Sequence, residues 1–176
     1  MGKEADRWTR DGGLVPDDLI VRIVMAWIDT NGPRFLFDGF PRTVGQACSL
    51  DASLSKTGLS LDLVAILELP EDEIRSRVAR RLTCTACGST FSASLHGCAE
   101  GDPCPRCSVP LVRRPDDSEE ALSERLRVYR ENTLPVAEYY QTTRPEIVRR
   151  IRADRPGAEI LREISHLVEE QLPSAR

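Results

Sequence analysis

The chain has 176 residues, 40% hydrophobic and 30% charged, which fits one ordinary globular domain with room for a small insert. Acidic residues outnumber basic ones, 28 to 24, for a net charge of -4, so a nucleic-acid module, normally basic, is disfavoured. No apolar run reaches the roughly 20 residues of a membrane helix, and Met1–Gly13 lacks the apolar segment of a signal peptide.

Leu14-Val15-Pro16-Asp17-Asp18 opens a helix, along which Leu19, Ile20, Ile23, Val24 and Trp27 recur at helical spacing until Asn31-Gly32-Pro33. Arg34-Phe35-Leu36-Phe37-Asp38 reads as a short apolar strand ending in a carboxylate. A helix follows from Thr43 to Leu54, then a second apolar strand from Asp62 to Leu69. Continuous apolar strands separated by helices predict a parallel α/β sheet covered on both faces. Pro70-Glu71-Asp72-Glu73 starts the next helix, with acids at the positive end of its dipole. From Cys84 to about Val112 the composition turns to Cys, Gly, Pro and Ser. A long helix is predicted over Ser118–Tyr140, a polar last strand over Ile147–Ala153 and a closing amphipathic helix over Ala158–Leu172.

Cys84-x-x-Cys87 and Cys104-x-x-Cys107 stand 16 residues apart. That is the spacing of a two-knuckle, four-cysteine zinc site. An insert this short cannot build much of a core, so a metal is the physical remedy. Four thiolates fill a tetrahedron, which makes the zinc structural and not catalytic. The alternatives are four reduced thiols or a site that no longer takes metal. Cys48 and Cys98 fall outside the pattern. The expectation is a reducing, cytoplasmic setting in which none of the six cysteines is bridged.

Of the basic residues, 22 are Arg and only Lys3 and Lys56 are Lys. Arg grips phosphate with two parallel bonds. Against that background, Phe37-Asp38-Gly39-Phe40-Pro41-Arg42-Thr43-x-x-Gln46-Ala47 resembles the signature of the adenylate kinases. Gly13-Leu14-Val15-Pro16-Asp17 precedes it in the same order. Arg77 and Arg81 lead into the four-cysteine insert, and Arg114-x-Asp116-Asp117, Arg125-Leu126-x-x-Tyr129 and Thr133-x-Pro135-x-x-x-Tyr139-Tyr140 follow. The likeness covers nearly the whole chain and is weak only at Arg152-Ala153-Asp154.

The resemblance implies a phosphate-loop-kinase-like parallel sheet flanked by helices, with a small zinc-bound lid. Residues 1–33 would be the remainder of the monophosphate-binding region, 34–83 and 113–176 the core, and 84–112 the lid. It implies the reaction of ATP and AMP to two ADP, with Mg²⁺ beside ATP, in a monomer with no nucleic-acid or membrane partner. Arg42, Arg77, Arg114 and Arg125 would be catalytic. Gly13, Leu14, Val15, Gly39, Phe40, Pro41, Arg42, Gln46, Arg114 and Arg125 would bind AMP. Arg77, Arg81, Thr90, Phe91 and Arg155 would bind ATP, and Asp38 would orient a Mg²⁺-bound water. A carboxamide at Gln46 offers an adenine edge one donor and one acceptor.

The family also begins with a strand and a phosphate loop, G-x-x-G-x-G-K-[GST]-T, and that motif does not occur in the 176 residues. On this likeness about forty residues would be missing, through a truncated gene, an internal start codon or a decayed paralogue. The central first strand would be missing with them. Both apolar strands would then have unpaired edges, and phosphoryl transfer would be absent or weak. Two other readings stand beside the kinase: a fragment or paralogue that only binds AMP and zinc, and a zinc-ribbon nucleic-acid module. Net charge and a scarcity of aromatic residues disfavour the last.

Overall fold

The computed structural model describes residues 16–171. Their elements in chain order are α1 (Asp17–Asn31), α2 (Val44–Lys56), β1 (Val64–Glu68), α3 (Glu71–Ala79), β2 (Arg81–Cys84), β3 (Thr90–Ser92), α4 (Ala93–His96), β4 (Leu111–Val112), α5 (Glu119–Val128), α6 (Leu134–Thr143), β5 (Val148–Arg152) and α7 (Gly157–Gln171). The chain divides into two compact units. The first runs up to Ile66 and takes Val128–Arg150 and the chain from Arg162 on; the second comprises Leu67–Arg127 and Ile151–Leu161.

In the first unit, α1 begins directly after Pro16 with Asp17 and Asp18 at the positive end of its dipole. It ends at Gly32, whose φ of +96° suits glycine and whose N–H bonds the Ile28 carbonyl at 2.8 Å. Thr43 caps α2, its hydroxyl accepting the Gln46 N–H at 3.1 Å. The two helices bury Ile28, Leu50 and Leu54 together, with Val24, Met25, Phe35, Phe37 and Phe40 around them. One turn before Leu50 on α2, Ala47 packs with Val136 and Tyr140 of α6.

Residues 34–38 belong to no strand ladder among the described residues, where the sequence suggested a strand. Within the segment Phe35 and Phe37, both partly buried, stack at 4.8 Å, and Leu36 is 88% exposed. β1 and β5 form a two-stranded parallel sheet, so the α/β reading holds. β1 is shorter than the apolar run suggested, and Leu67 is half exposed.

The predicted long helix is interrupted. A π-helical turn, Tyr129–Thr133, separates α5 from α6, and the Leu134 N–H reaches back five residues to the Tyr129 carbonyl. Pro135 has no N–H to give a regular helix, and its ring would crowd the carbonyl four residues before it; a widened turn relieves both.

In the second unit, β2 is the centre of a small antiparallel sheet ordered β3-β2-β4, with Leu82 opposite Phe91 and Cys84 opposite Leu111. Its core is Leu82, Cys84, Cys104 and Leu111. Beside it in sequence, Val78 of α3 packs with Leu122 and Leu126 of α5. No helix among the described residues is long and apolar enough to cross a membrane.

Candidate functional site

The first unit gathers the signature residues at the start of α2. Gly39 has a φ of +71° and lies under the Arg42 side chain, whose Nε donates to the Gly39 carbonyl at 2.5 Å. A Cβ at Gly39 would sit 2.8 Å from Arg42 Nη2, so only glycine admits this folded guanidinium. Phe40-Pro41 is a cis peptide. Arg42 is exposed, and so is Asp38 four residues before it.

Gln46 is not a surface residue: it is 6% exposed, and both ends of its carboxamide are held. Its Oε1 accepts the Arg42 backbone N–H at 2.7 Å, and its Nε2 donates to Asp17 Oδ1 at 2.8 Å. The other Asp17 oxygen accepts the Thr43 hydroxyl at 2.8 Å. Thr133, at the foot of α6, donates to the Arg42 carbonyl at 3.2 Å. Asp17 and Thr133 had no site role on sequence reasoning. Both stood inside quoted motifs, but no spacing rule ties them to Arg42 or Gln46. Gly13, Leu14 and Val15 lie outside the described residues.

The second unit centres on Asp117, whose carboxylate is only 4% exposed. Arg81 holds it with both prongs, Nε to Oδ2 at 2.8 Å and Nη2 to Oδ1. Arg125 Nη1 lies 3.6 Å from Asp117 Oδ1 and donates to the Asp116 carbonyl at 3.1 Å. The hydrogen bond from Arg81, and behind it the positive fields of Arg81, Arg125 and Arg114, hold the Asp117 carboxyl below its ordinary range. Arg114 itself donates to the Thr83 hydroxyl at 2.9 Å and approaches the Thr90 hydroxyl at 3.4 Å. So Arg81 and Arg125 lie against Asp117, Arg125 also stands 3.6 Å from the Asp116 carboxylate, and the field of Arg114 reaches Asp117 without contact. Arg77 stands apart, paired with Glu73 at 2.9 Å and bonded to the Ala153 carbonyl at 2.8 Å. Arg155 Nε donates to the Arg152 carbonyl at 2.9 Å, and Phe91 packs edge-on against His96 at 5.5 Å.

The four knuckle cysteines converge, their sulfurs all within 4.8 Å of one another. Cys84 and Cys107 are 3.3 Å apart and Cys87 and Cys104 3.7 Å. Tetrahedral Zn–S bonds of about 2.3 Å put sulfurs about 3.8 Å apart, so the set fits such an ion without rearrangement of the turns. Each knuckle turns tightly, with Gly88 N–H on the Cys84 carbonyl at 3.0 Å and Ser108 N–H on the Cys104 carbonyl at 2.8 Å. The Ser89 hydroxyl, 3.2 Å from Cys87 Sγ, and the Ser89 N–H lower that thiol to about 6. At Cys107 the Val109 N–H acts to lower the thiol, but Cys84, burial and the other cysteines outweigh it and push it up to about 12. Cys98 stays outside the cluster, against the ribbon core, and Cys48 is exposed on α2.

A family model described as adenylate kinase matches residues 1–144. A protein named adenylate kinase from Desulforamulus reducens is 34% identical over 166 residues, 93% of this chain and 77% of that relative. Those of Archaeoglobus fulgidus and Thermosipho africanus are 36% and 39% identical, each over 80% of this chain and 66% and 67% of their own lengths. The match takes in both the Arg42–Gln46 cradle and the basic cluster about Asp117, and the chain belongs to the adenylate kinase family, the nucleoside monophosphate kinases that transfer a phosphoryl group.

Proposed function

We propose that the chain works on ATP and AMP, forming two ADP, with AMP held at Arg42 and Gln46 and the phosphates drawn to Arg81, Arg114 and Arg125. The observation that carries this is the basic group at Asp117: the guanidiniums of Arg81 and Arg125 lie on this carboxylate and the field of Arg114 reaches it, a carboxylate standing where anionic oxygens are wanted. Phosphoryl transfer asks the protein for positioning and charge neutralisation, not for a nucleophile of its own. Planar guanidiniums supply both, because each offers parallel N–H donors to two oxygens. Arg77 and Arg155 belong on the ATP side with Thr90 and Phe91. Mg²⁺ accompanies ATP, and Asp38 orients one of its waters.

On the acceptor side Arg42 takes the monophosphate. Gly39 leaves room for it, and Phe40 and Pro41 shape the wall. Gln46 keeps one amide N–H and one lone pair beyond its bonds to Asp17 and Arg42, and these pair with the adenine edge. Cys84, Cys87, Cys104 and Cys107 hold one zinc, which fixes the ribbon and leaves no position for substrate. Residues 84–112 act as a lid that excludes water.

Titration of the chain with AMP, GMP, CMP and UMP tests the acceptor half. The expected outcome is AMP binding at least tenfold tighter than the other three. Equal affinity for all four overturns the assignment.

A further inference from the structure

We propose that Asp17 determines which way the Gln46 carboxamide faces, and through it whether the site accepts a 6-amino or a 6-oxo purine. The inference rests on the reading that Gln46 pairs with the base. Asp17 is the first residue of α1, and it meets Gln46 across twenty-nine residues of chain.

The partners of the amide are of fixed kind. Asp17 Oδ1 is a carboxylate oxygen and can only accept; the Arg42 backbone N–H can only donate. Nε2 must therefore face Asp17 and Oε1 must face Arg42. Turning the amide over would set oxygen against carboxylate and NH₂ against N–H at a residue that is 6% exposed. Two hydrogen bonds would become two repulsions. Thr43 reinforces the choice. Its hydroxyl oxygen receives the Gln46 N–H, so its proton is directed to Asp17 Oδ2 and keeps that oxygen an acceptor. Gly45 lets the two helix starts come this close, since a Cβ there would lie 2.9 Å from Asp17 Oδ2.

The remaining N–H and lone pair of Gln46 are therefore presented in one fixed order. Adenine shows a donor at its 6-amino group and an acceptor at N1; guanine and hypoxanthine show an acceptor at O6 and a donor at N1. The two edges are the same size and opposite in order. A carboxamide free to turn over serves both, whereas a locked one serves adenine and meets the 6-oxo purines donor to donor and acceptor to acceptor. Asp17 is thus a positioning residue for specificity, and it need not touch the nucleotide.

Asp17→Asn and Asp17→Ser each supply a group that donates or accepts, which removes the Asp17 half of the lock and leaves the Arg42 N–H alone to hold Oε1. The readout is the ratio of the dissociation constants of inosine monophosphate and AMP, measured by calorimetry on the full chain. Inosine monophosphate isolates the 6-position because it lacks the 2-amino group of guanine. In both variants the ratio is expected to fall at least tenfold, with inosine monophosphate binding more tightly than it does to the unaltered chain. If both nucleotides weaken in parallel and the ratio holds, Asp17 is only a structural support and the proposal is overturned. Gln46→Ala is run alongside. If it leaves the ratio untouched, the reading of Gln46 as base partner fails. If it collapses the ratio while the Asp17 variants do not, only the role of Asp17 fails.

Discussion

Arg81 and Asp117 form a two-pronged ion pair in which the carboxylate is almost fully buried and the guanidinium about a quarter exposed. Removing the acid strips Arg81 of its two-pronged partner and leaves Asp116, 3.6 Å from Arg125, as the nearby counter-charge. Asp117→Ala is expected to lower stability by about 1–3 kcal/mol in urea unfolding.

The same pair sets an acid limit. The Asp117 carboxyl is lowered in the folded chain, so the pair's stabilisation is complete above the unfolded value near 3.8 and fades as pH falls through the lower folded value. Asp117→Asn removes this contribution. Its stability curve should run flatter than that of the unaltered chain below about pH 4.

Zinc removal should be felt mainly by the ribbon. The four sulfurs share a volume fit for one ion, and the ribbon core beside them contains only a few large side chains. Metal analysis after dialysis is expected to give one zinc per chain, and Cys104→Ser to lose it with a lower melting temperature. A chain without metal and with an unchanged melting temperature contradicts the assignment.

At Gly39 a side chain meets both a strained backbone and a neighbour. With φ at +71° and Arg42 Nη2 at 2.8 Å, Gly39→Ala should cost about 1–2 kcal/mol of stability and unseat the guanidinium. AMP affinity should fall roughly tenfold or more, and Arg42→Ala should show a similar or larger loss.

Asp51 of α2 accepts both tyrosines of α6, Tyr139 at 3.1 Å and Tyr140 at 3.4 Å. Burial first, then Cys48 and Asp51, push the Tyr139 phenol up to about 12. Its stabilising effect is whole below the unfolded value near 10 and is lost as pH rises towards 12. Denaturant midpoints should therefore drop across that alkaline interval. Asp51→Ala should cost about 1–3 kcal/mol at neutral pH by stranding the buried Tyr140 hydroxyl.

Much of this was legible from local spacing. The knuckles announced themselves because two thiols on one tight turn need only two residues between them. The i, i+4 spacing of Arg42 and Gln46 placed both on one side of a helix start. What local pattern does not carry is the distant partner. Nothing in the spacing of Gln46 shows that Asp17 and the Arg42 N–H enclose its carboxamide. Residues 34–38 have the composition of a strand, but a ladder needs a neighbour, and among the described residues no strand pairs with them. The π turn was hidden for another reason: apolar periodicity runs through it, and only Pro135 signals that a regular helix has to give way.

The pairing of Asp51 with Tyr139 also bears on the order of assembly. The two residues are 88 apart in sequence, and the entire cysteine ribbon is translated between them. During synthesis α1 and α2 can associate early, and β2, β3 and β4 close over a short stretch of chain. The α2–α6 contact must wait for the arrival of Tyr139 and Tyr140. Contacts that span so much chain slow folding, although loop closure itself grows only by about 0.6 kcal/mol per doubling of length. A nascent chain released before Tyr139 would thus carry a finished ribbon beside a half-built first unit, with the Ala47 face of α2 still wet.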